Sequence, residues 1–586
     1  MEGTPPSPMP IVNADIAAVF SEIADLLEIE NANPFRVRAY RNAARMLGAL
    51  GRSVKMMIVN QDDLDALPGI GPDLAGKIVE VVNTGTCALL ERLHQEVAPA
   101  LVELLKIPGL GPKRVRVLHQ ELGIETLEQL RRAAEQGRIQ TVHGFGAKSE
   151  RQILEATTAF LQQDRRYPWA DVAPVAEVLL SDLRELPGLH KAVAAGSLRR
   201  RCDTVGDLDL LVTTERPRDV MDRLTAGESV LRVLAKGVTR CSVVLKSGLQ
   251  VDLRAIAPVS FGAAWLYFTG SKAHNIALRK LAQDAGFKLN EYGLYRGRER
   301  MAGSTEDAIY RALGLPYIEP ELREDRGEIE VARIDALPTL VQRSDLLGDL
   351  HAHTSDSDGY NSLENMADAA RSKGLRYLAI TDHSRRMAST HGLDANGLLR
   401  QLDRIDELNA KLHGFALLKD VEVDILEDGT LDLPQDVLRR LDVVVGAVHS
   451  GFGLNQEKQT ARLLRAMDSP CFSILAHPTG RLINERAPYG VDLPRVIRHA
   501  RERGCFMELN AQPARLDLND LACRMAKSEG VLVSINSDAH SALQFDTLDL
   551  GIAQARRGWL EPANVLNTRS LDQLRPLLAA TMDGAR

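Results

Sequence analysis

Asp207 and Asp209 stand two apart in Gly206-Asp-Leu-Asp-Leu-Leu-Val212, a spacing that turns both carboxylates to one face of a strand. Leu208 and the run Leu210 to Val212 supply the apolar opposite face. A third carboxylate, Asp252, alternates with apolar residues in Leu249-Gln-Val-Asp-Leu-Arg254 and is also read as part of a strand. Three oxygen ligands of this kind suit Mg²⁺ or Mn²⁺. Ahead of the pair, Gly196-Ser197 follows the apolar run Ala192 to Ala195 and can open a helix whose amides and hydroxyl face a phosphate, with Arg200 in reach of the same anion. The expected chemistry is nucleotidyl transfer, with a triphosphate on Gly196, Ser197, Arg200 and Gly206 and ions on Asp207, Asp209 and Asp252. A lone Asp-x-Asp is as readily a solvated turn. The Gly-Ser start and the third strand weigh against that here.

The C-terminal half carries a second set. Short apolar strands, Arg376 to Ile380, Asp442 to Val448, Phe472 to Ala476, Phe506 to Asn510 and Val531 to Ile535, alternate with helical stretches and end in polar residues. Such alternation predicts a βα barrel with its functional groups at the strand ends. Ligand-type side chains gather there: His351, His353, Asp358, His383, Glu422, His449, His477, Asp538 and His540. One histidine at a strand end is usually a satisfied polar group; nine such residues together read as a metal centre. Mixed imidazole and carboxylate ligands suit Mn²⁺, Zn²⁺ or Fe²⁺. Arg481, in His477-Pro-Thr-Gly-Arg, is a candidate phosphate clamp. Asp356, Asp382 and Asp424 are expected to support the ligands or cap helices rather than bind ions.

Positioning two such sites takes several cores. A chain of 586 residues calls for three to five domains. Six scattered cysteines, Cys87, Cys202, Cys241, Cys471, Cys505 and Cys523, fit reduced thiols and indicate no zinc finger. No apolar run approaches a membrane span, and Met1 to Pro10 lacks the regions of a secretory signal, so the expected address is the cytosol. The net charge of −7 is no bar to DNA binding, because local patches decide it. Candidate patches are Arg36 to Arg41, Lys113 to Arg116, Arg165-Arg166 and Arg199 to Arg201.

The first 165 residues repeat one design. Leu67-Pro-Gly-Ile-Gly-Pro and Ile107-Pro-Gly-Leu-Gly-Pro-Lys-Arg are followed by amphipathic stretches, and Val142-His-Gly-Phe-Gly-Ala-Lys is a weaker third copy. These resemble helix-hairpin-helix elements. Gly69 and Gly71, Gly109 and Gly111, and Gly144 and Gly146 would bring amides against a DNA phosphate, aided by Lys113 and Arg114. Such contacts read backbone, not sequence.

With Gly-Ser-x-x-Arg, Gly-Asp-x-Asp and the hairpins in hand, residues from about 10 to 320 resemble the family X DNA polymerases, in their bacterial form. Trp265-Leu-Tyr-Phe-Thr-Gly-Ser-Lys-Ala-His-Asn-Ile-Ala-Leu-Arg279 is similar to that family's nucleotide-binding segment, and Asn290-Glu-Tyr-Gly-Leu294 to its thumb. The resemblance implies that Tyr267 and Phe268 pack under the sugar beside Gly270, that Asn275 contacts the incoming base and that Arg279 contacts the templating strand. At Lys272 the chain departs from the animal enzymes, which have an acid there. Lys77 matches the family's Schiff-base lysine for deoxyribose phosphate removal, but Asp73 stands where a phosphate-binding lysine is usual and Arg36 replaces another. An acid one helical turn away would keep Lys77 protonated. The barrel residues resemble the polymerase and histidinol phosphatase, or PHP, domain. That resemblance implies three divalent ions: one on His351, His353, Glu422 and Asp538, one on Glu422, His449 and His477, and one on Asp358, His383 and His540.

The expected architecture is multidomain: an all-α helix-hairpin-helix N-terminal region (1–90 lyase-like, 91–168 DNA-binding), an α+β nucleotidyltransferase palm (169–260) and nucleotide-selecting thumb (261–320), a charged linker (321–344), and a C-terminal α/β PHP distorted (βα)7-type barrel (345–586). The expected function is gap-filling DNA repair synthesis on gapped or primer-template DNA with deoxynucleoside triphosphates, joined to a 3′ to 5′ exonuclease whose chemistry extends to 3′ phosphates and abasic sites, in a monomer. A template-independent nucleotidyltransferase with an attached phosphatase, and a weakly catalytic DNA-end scaffold, are the alternatives.

Overall fold

A computed structural model describes residues 13–582 except 31, 50–53, 60–61, 68, 98, 106, 108, 164–165 and 387–389; Arg165 of the third basic patch lies outside the described residues. The chain forms two compact units, residues 1–165 and 166–586.

The first unit is helical among its described residues. Its hairpins show why the glycines are there. The amides of Ile70, Leu110 and Phe145 donate to the carbonyls three residues back, at Leu67, Ile107 and Val142, each at 3.0 Å. The third residue of each turn, Gly69, Gly109 or Gly144, has φ of 80°, 90° or 88°, a left-handed conformation that side chains resist. Gly71 and Gly111 then cap the helices Pro72–Thr84 and Pro112–Leu122, each with proline at the first turn and a left-handed glycine, Gly85 or Gly123, at the end. Phe20, Leu27, Leu47, Ile78, Val115 and Leu118 are buried in the shared core.

In the second unit a five-stranded sheet runs in the order Leu189–Ala194, Asp207–Thr214, Gln250–Ala255, Arg240–Leu245, Val230–Lys236. The Asp207–Thr214 and Gln250–Ala255 strands are parallel, with Asp209 opposite Asp252. Leu208, Leu210 and Val212 are fully buried and fix the face on which the acids emerge. The helices Phe261–Thr269 and Lys272–Asp284 follow, then a small antiparallel sheet of Lys288–Asn290, Gly293–Arg296 and Glu299–Ala302.

The segment expected as a charged linker is partly core: Leu322, Arg323, Glu328, Ile329 and Ala332 are buried, while Arg333 to Ala336 are exposed. Arg323 is completely buried, and its Nη1 meets Glu306 at 2.6 Å while its Nε donates to the Ile318 carbonyl at 2.9 Å. Arg199, expected within a surface patch, closes on the same Glu306 at 2.6 and 2.8 Å and stacks 3.4 Å over Trp265. Burial would raise the Glu306 carboxyl, but Arg323 and Arg199 hold it down to about 2. Its stabilisation is therefore present above the ordinary carboxylate range near 4.5 and is lost as pH falls toward 2. Glu306→Gln leaves two buried guanidiniums without their anion, so the melting transition should reflect a loss of about 3–5 kcal/mol at pH 7. That gap should narrow below pH 4 in a calorimetric pH series. A gap that stays constant with pH would exclude the ion pairs as its source.

Tyr167–Pro168 and Thr204–Val205 pair as a short antiparallel ribbon, and the strands from Gly348 onward pair in parallel. Gly348–Asp349, Tyr377–Ile380 and Ala416–Lys419 form one sheet, and Glu422–Asp424, Val445–Ala447, Ile474–Leu475, Phe506–Asn510 and Val533–Asn536 form another. Parallel bridges between His383 and Glu422 and between Ala352 and Ala539 join the two sheets into a distorted barrel, with Ala416–Lys419 and Glu422–Asp424 consecutive along the chain. Trp559 leaves the barrel to pack in one core with Leu266, Leu278 and Leu322. Among the described residues no helix is long and apolar enough to cross a membrane.

Candidate active sites

Asp207, Asp209 and Asp252 converge at one end of the five-stranded sheet. Asp252 is buried and held, its Oδ1 by the Ser242 hydroxyl and its Oδ2 by Gln250 Nε2 at 2.8 Å. Burial first, then the charges of Asp207 and Asp252, push Asp209 up to about 7. Burial and Asp252 likewise raise Asp207. Three acids gathered at one sheet end, two of them resisting ionisation, make a set that a divalent cation fits. The turn before them is cut to Asp209: a Cβ on Gly196, whose φ is 60°, would lie 2.7 Å from Asp209 Oδ2.

A cavity of about 500 Å³ opens on Asp207 and Asp209. Its walls bring together Gly196, Ser197, Arg200, Asp207 and Asp209 with Tyr267, Phe268, Gly270, Asn275 and Arg279. Gly206 sits at its edge, where a Cβ would come 3.3 Å from Arg166 Nη1. Tyr267 and Phe268 meet edge to face at 5.1 Å, with Arg254 stacked 4.4 Å from the Phe268 ring. Asn275 Nδ2 donates to the Tyr267 carbonyl at 2.7 Å, and Arg279 Nε to the Asn275 carbonyl at 3.2 Å. Lys272 and Arg166 also line the cavity. Sequence reasoning placed Arg166 in a basic patch only. Its Nε and Nη2 are fixed on Thr204 at 2.8 and 2.6 Å, in the strand-like step before the acids.

In the barrel the nine ligand-type residues meet in one cluster. Glu422 is its centre, with His477 Nε2 at 2.9 Å, His383 Nδ1 at 3.0 Å, His449 Nε2 at 3.2 Å, His351 Nε2 at 3.4 Å and His353 Nε2 at 3.6 Å. Asp538 lies 3.1 Å from His353, and Asp358 lies 3.4 Å from both His383 and His540. Three groups close to within 4.8 Å: His353, Asp358, His383 and His540; His351, His353 and Asp538; His383, Glu422 and His449. His353 and His383 thus each border two groups, a sharing absent from the expected partition. His477 joins through Glu422 alone. His351 Nε2, His353 Nδ1 and His477 Nδ1 are buried without a hydrogen-bond partner, as atoms kept for cations are. His477 and Asp538 have φ of 29° and 51°, left-handed conformations that non-glycine residues hold only where the surroundings impose them.

The orienting groups are acids. Asp424 holds His449 Nδ1 at 2.7 Å, and Asp382 accepts from Thr354, Ser357 and Gln401. Asp356 pairs with Arg404 at 2.9 Å. Sequence reasoning missed Glu508, which holds His351 Nδ1 at 2.7 Å and accepts from the His477 amide at 2.7 Å. A carboxylate inside the apolar Phe506–Asn510 strand was the signal that could have found it. Burial disfavours a charge on His449, yet Glu422 and Asp424 raise it to about 10; Asp358 and Asp538 raise His540 to about 9.

Arg481 is a correction. Its Nε and Nη2 donate to the carbonyls of Arg515 and Leu516 at 2.7 and 2.6 Å, and its Nη1 pairs with Asp203 at 3.0 Å, which leaves no free edge for a phosphate. The guanidinium at the cluster is Arg515, whose Nε is 4.0 Å from Asp538 Oδ2.

In the helical unit, Cβ atoms on Gly69, Gly71, Gly109, Gly111, Gly144 and Gly146 would meet open space, so the hairpin backbones are bare. Lys113 lies 4.0 Å from Glu28 and stays largely exposed, whereas Arg114 binds the Gly109 carbonyl at 2.9 Å and lies 5.4 Å over Phe145. Lys77 pairs with Asp73. Burial lowers its pKa, but the Asp73 hydrogen bond and Tyr40 outweigh that and raise it above the usual lysine value.

Comparison with known proteins matches residues 11–87 to a helix-hairpin-helix domain, 101–157 to a SAM-like helix-hairpin-helix tandem, 264–324 to the DNA polymerase beta thumb and 349–469 to the PHP domain. Over 96% of this chain and 99% of the relative, the sequence is 40% identical to "DNA polymerase/3′-5′ exonuclease PolX" of Bacillus subtilis. A probable phosphatase of Thermoanaerobacter pseudethanolicus is 29% identical over 38% of this chain and 91% of its own length. One from Caldanaerobacter subterraneus is 30% identical over 40% and 91%.

Proposed function

The chain belongs to the bacterial family X DNA polymerases with a PHP domain, and from that membership we propose that it fills short gaps in DNA and trims 3′ ends in a separate hydrolytic site. The observation that carries this reading is the pair of complete carboxylate and imidazole centres, one opening on a cavity of nucleotide size and one buried in the barrel.

In the cavity, Asp207 and Asp209 are assigned to two Mg²⁺ or Mn²⁺ ions and Asp252, locked by Ser242 and Gln250, to the side of the primer 3′ oxygen. Ser197, Arg200 and the amides near Gly196 and Gly206 take the triphosphate, fixing its α-phosphate in line with that oxygen while pyrophosphate leaves. Tyr267, Phe268 and Gly270 floor the sugar, Asn275 meets the base and Arg279 the template. The hairpins 1–90 and 91–168, with Lys113 and Arg114, hold the duplex by its backbone. In the barrel the nine ligands take Mn²⁺, Zn²⁺ or Fe²⁺, and Arg515 replaces Arg481 as the phosphate clamp. When bound, the ions of both sites polarise phosphoryl oxygens and, in the barrel, activate water. The substrates are gapped DNA, deoxynucleoside triphosphates and 3′ termini, including 3′ phosphates and abasic ends, handled by a monomer at the bacterial nucleoid.

A duplex with a one-nucleotide gap, offered each deoxynucleotide in turn, tests the reading. Addition of only the base complementary to the template is expected; equal addition of all four would favour a template-independent transferase. Lys77, paired with Asp73, is expected to give no borohydride-trapped adduct with abasic DNA at pH 7.5. An adduct lost in Lys77→Ala would assign lyase chemistry to it after all.

A further inference from the structure

Arg557 ends the barrel helix Leu548–Arg557 and is only 6% exposed, and its guanidinium contacts residues behind the nucleotide cavity. Its Nη1 lies 2.8 Å from Glu324 Oε1 and donates at 3.0 Å to the main-chain carbonyl of Arg200. The same Glu324 oxygen accepts from Arg200 Nε at 3.0 Å. One carboxylate oxygen is thus shared by a barrel arginine and a cavity arginine, and the barrel arginine also grips the other's backbone. On its far side Arg557 Nη2 meets Asp520 Oδ2 at 2.8 Å, and Arg326 Nη1 meets that oxygen at 2.8 Å.

We propose that Arg557 is a positioning residue of the polymerase: through Glu324 it sets the place and the net charge of Arg200 at the triphosphate. The inference rests on the assignment of Arg200 to the triphosphate. Five side chains alternate in sign, Arg200, Glu324, Arg557, Asp520 and Arg326, and sum to one positive charge, with Arg200 at the cavity end. Without Arg557 the sum is zero. Glu324 then faces Arg200 alone, and a guanidinium neutralised by its own carboxylate attracts a triphosphate weakly. Held from behind, Arg200 also surrenders less side-chain freedom when the nucleotide arrives. The barrel is by this account part of the polymerase site and not only a second enzyme on the same chain.

The test measures one-nucleotide gap filling against deoxynucleotide concentration in the full chain, together with the equilibrium Kd of a non-hydrolysable α,β-imido deoxynucleotide. Arg557→Gln should raise both the nucleotide KM and that Kd by roughly tenfold, with kcat changed less than about twofold. DNA affinity and 3′ hydrolysis should stay at parental levels, and Arg557→Lys should recover most of the loss. A structural staple would instead lower the melting temperature and reduce both activities together, and that outcome overturns the proposal. If Arg557→Gln does not fold, Arg326→Gln, at the more exposed end of the chain of charges, should still raise KM about threefold; an unchanged KM there overturns it. Arg200→Ala separates the two levels. If it raises KM while Arg557→Gln does not, the inference alone fails; if it leaves KM unchanged, the assignment of Arg200 fails and takes the inference with it.

Discussion

Asp209→Asn should abolish template-directed synthesis, with a loss of at least the ~10²–10³-fold that follows removal of one preorganised charge-stabilising group, while 3′ hydrolysis continues. Asp209 lies opposite Asp252 across two parallel strands and against the turn at Gly196, so its carboxylate faces both the other acids and the turn proposed to hold the triphosphate. Asparagine keeps the shape and removes the charge. The pKa gives a second signature. Without a cation, Asp209 is protonated below about 7, and its ionised form is the one proposed to hold the ion. Divalent-ion affinity of the palm should therefore climb as pH rises from 6 to 8, and gap filling at limiting Mg²⁺ should climb with it. Saturating Mg²⁺ should flatten that profile, because the cation itself holds the proton off. A profile unchanged by Mg²⁺ would show that Asp209 does not govern ion binding.

Glu422→Gln should remove 3′ hydrolysis by a factor of comparable order, ~10³, and strip metal from the barrel while gap filling persists. No other ligand touches as many partners: five imidazoles lie within 3.6 Å of its two oxygens. Elemental analysis of the purified variant should find less bound transition metal per chain than in the parent. The same carboxylates that bind ions also hold protons on His449 and His540 in their absence. Ions must displace those protons, so adding Mn²⁺ to metal-free protein at pH 7.5 should release protons into a weak buffer, and ion affinity should fall as pH falls. No proton release would mean that these histidines are not ligands.

Much of both centres is readable in the sequence because their geometry is local. A two-residue spacing on a strand needs nothing else to bring Asp207 and Asp209 to one face. A Gly-x-Gly turn carries its left-handed glycine with it, and all three copies fold alike. The barrel ligands follow from the rule that parallel strands present their functional groups at one end. What the sequence leaves unread are pairings between distant residues. Nothing near Arg481 announces Asp203, 278 positions away, and without that partner the arginine looks free to clamp a phosphate. Arg199 and Arg200 are neighbours of one type, yet one is spent on Glu306 in the core and the other lines the cavity. The segment 321–344 reads as a solvated linker because charge usually means exposure. Here Arg323 and Glu328 are buried because Glu306 and His274 meet them. Glu508 was overlooked because its own strand is apolar and its partner, His351, comes from the other end of the barrel sequence.

The central claim is that two independent phosphoryl-transfer sites share this chain. The most direct measurement gives the parent, Asp207→Ala and His351→Ala a gapped duplex with a 5′-labelled primer in Mn²⁺, with and without deoxynucleotides. Lengthening lost only in Asp207→Ala, and shortening lost only in His351→Ala, is the result predicted. Failure of the parent to lengthen the primer, or loss of both activities in either variant, would contradict it.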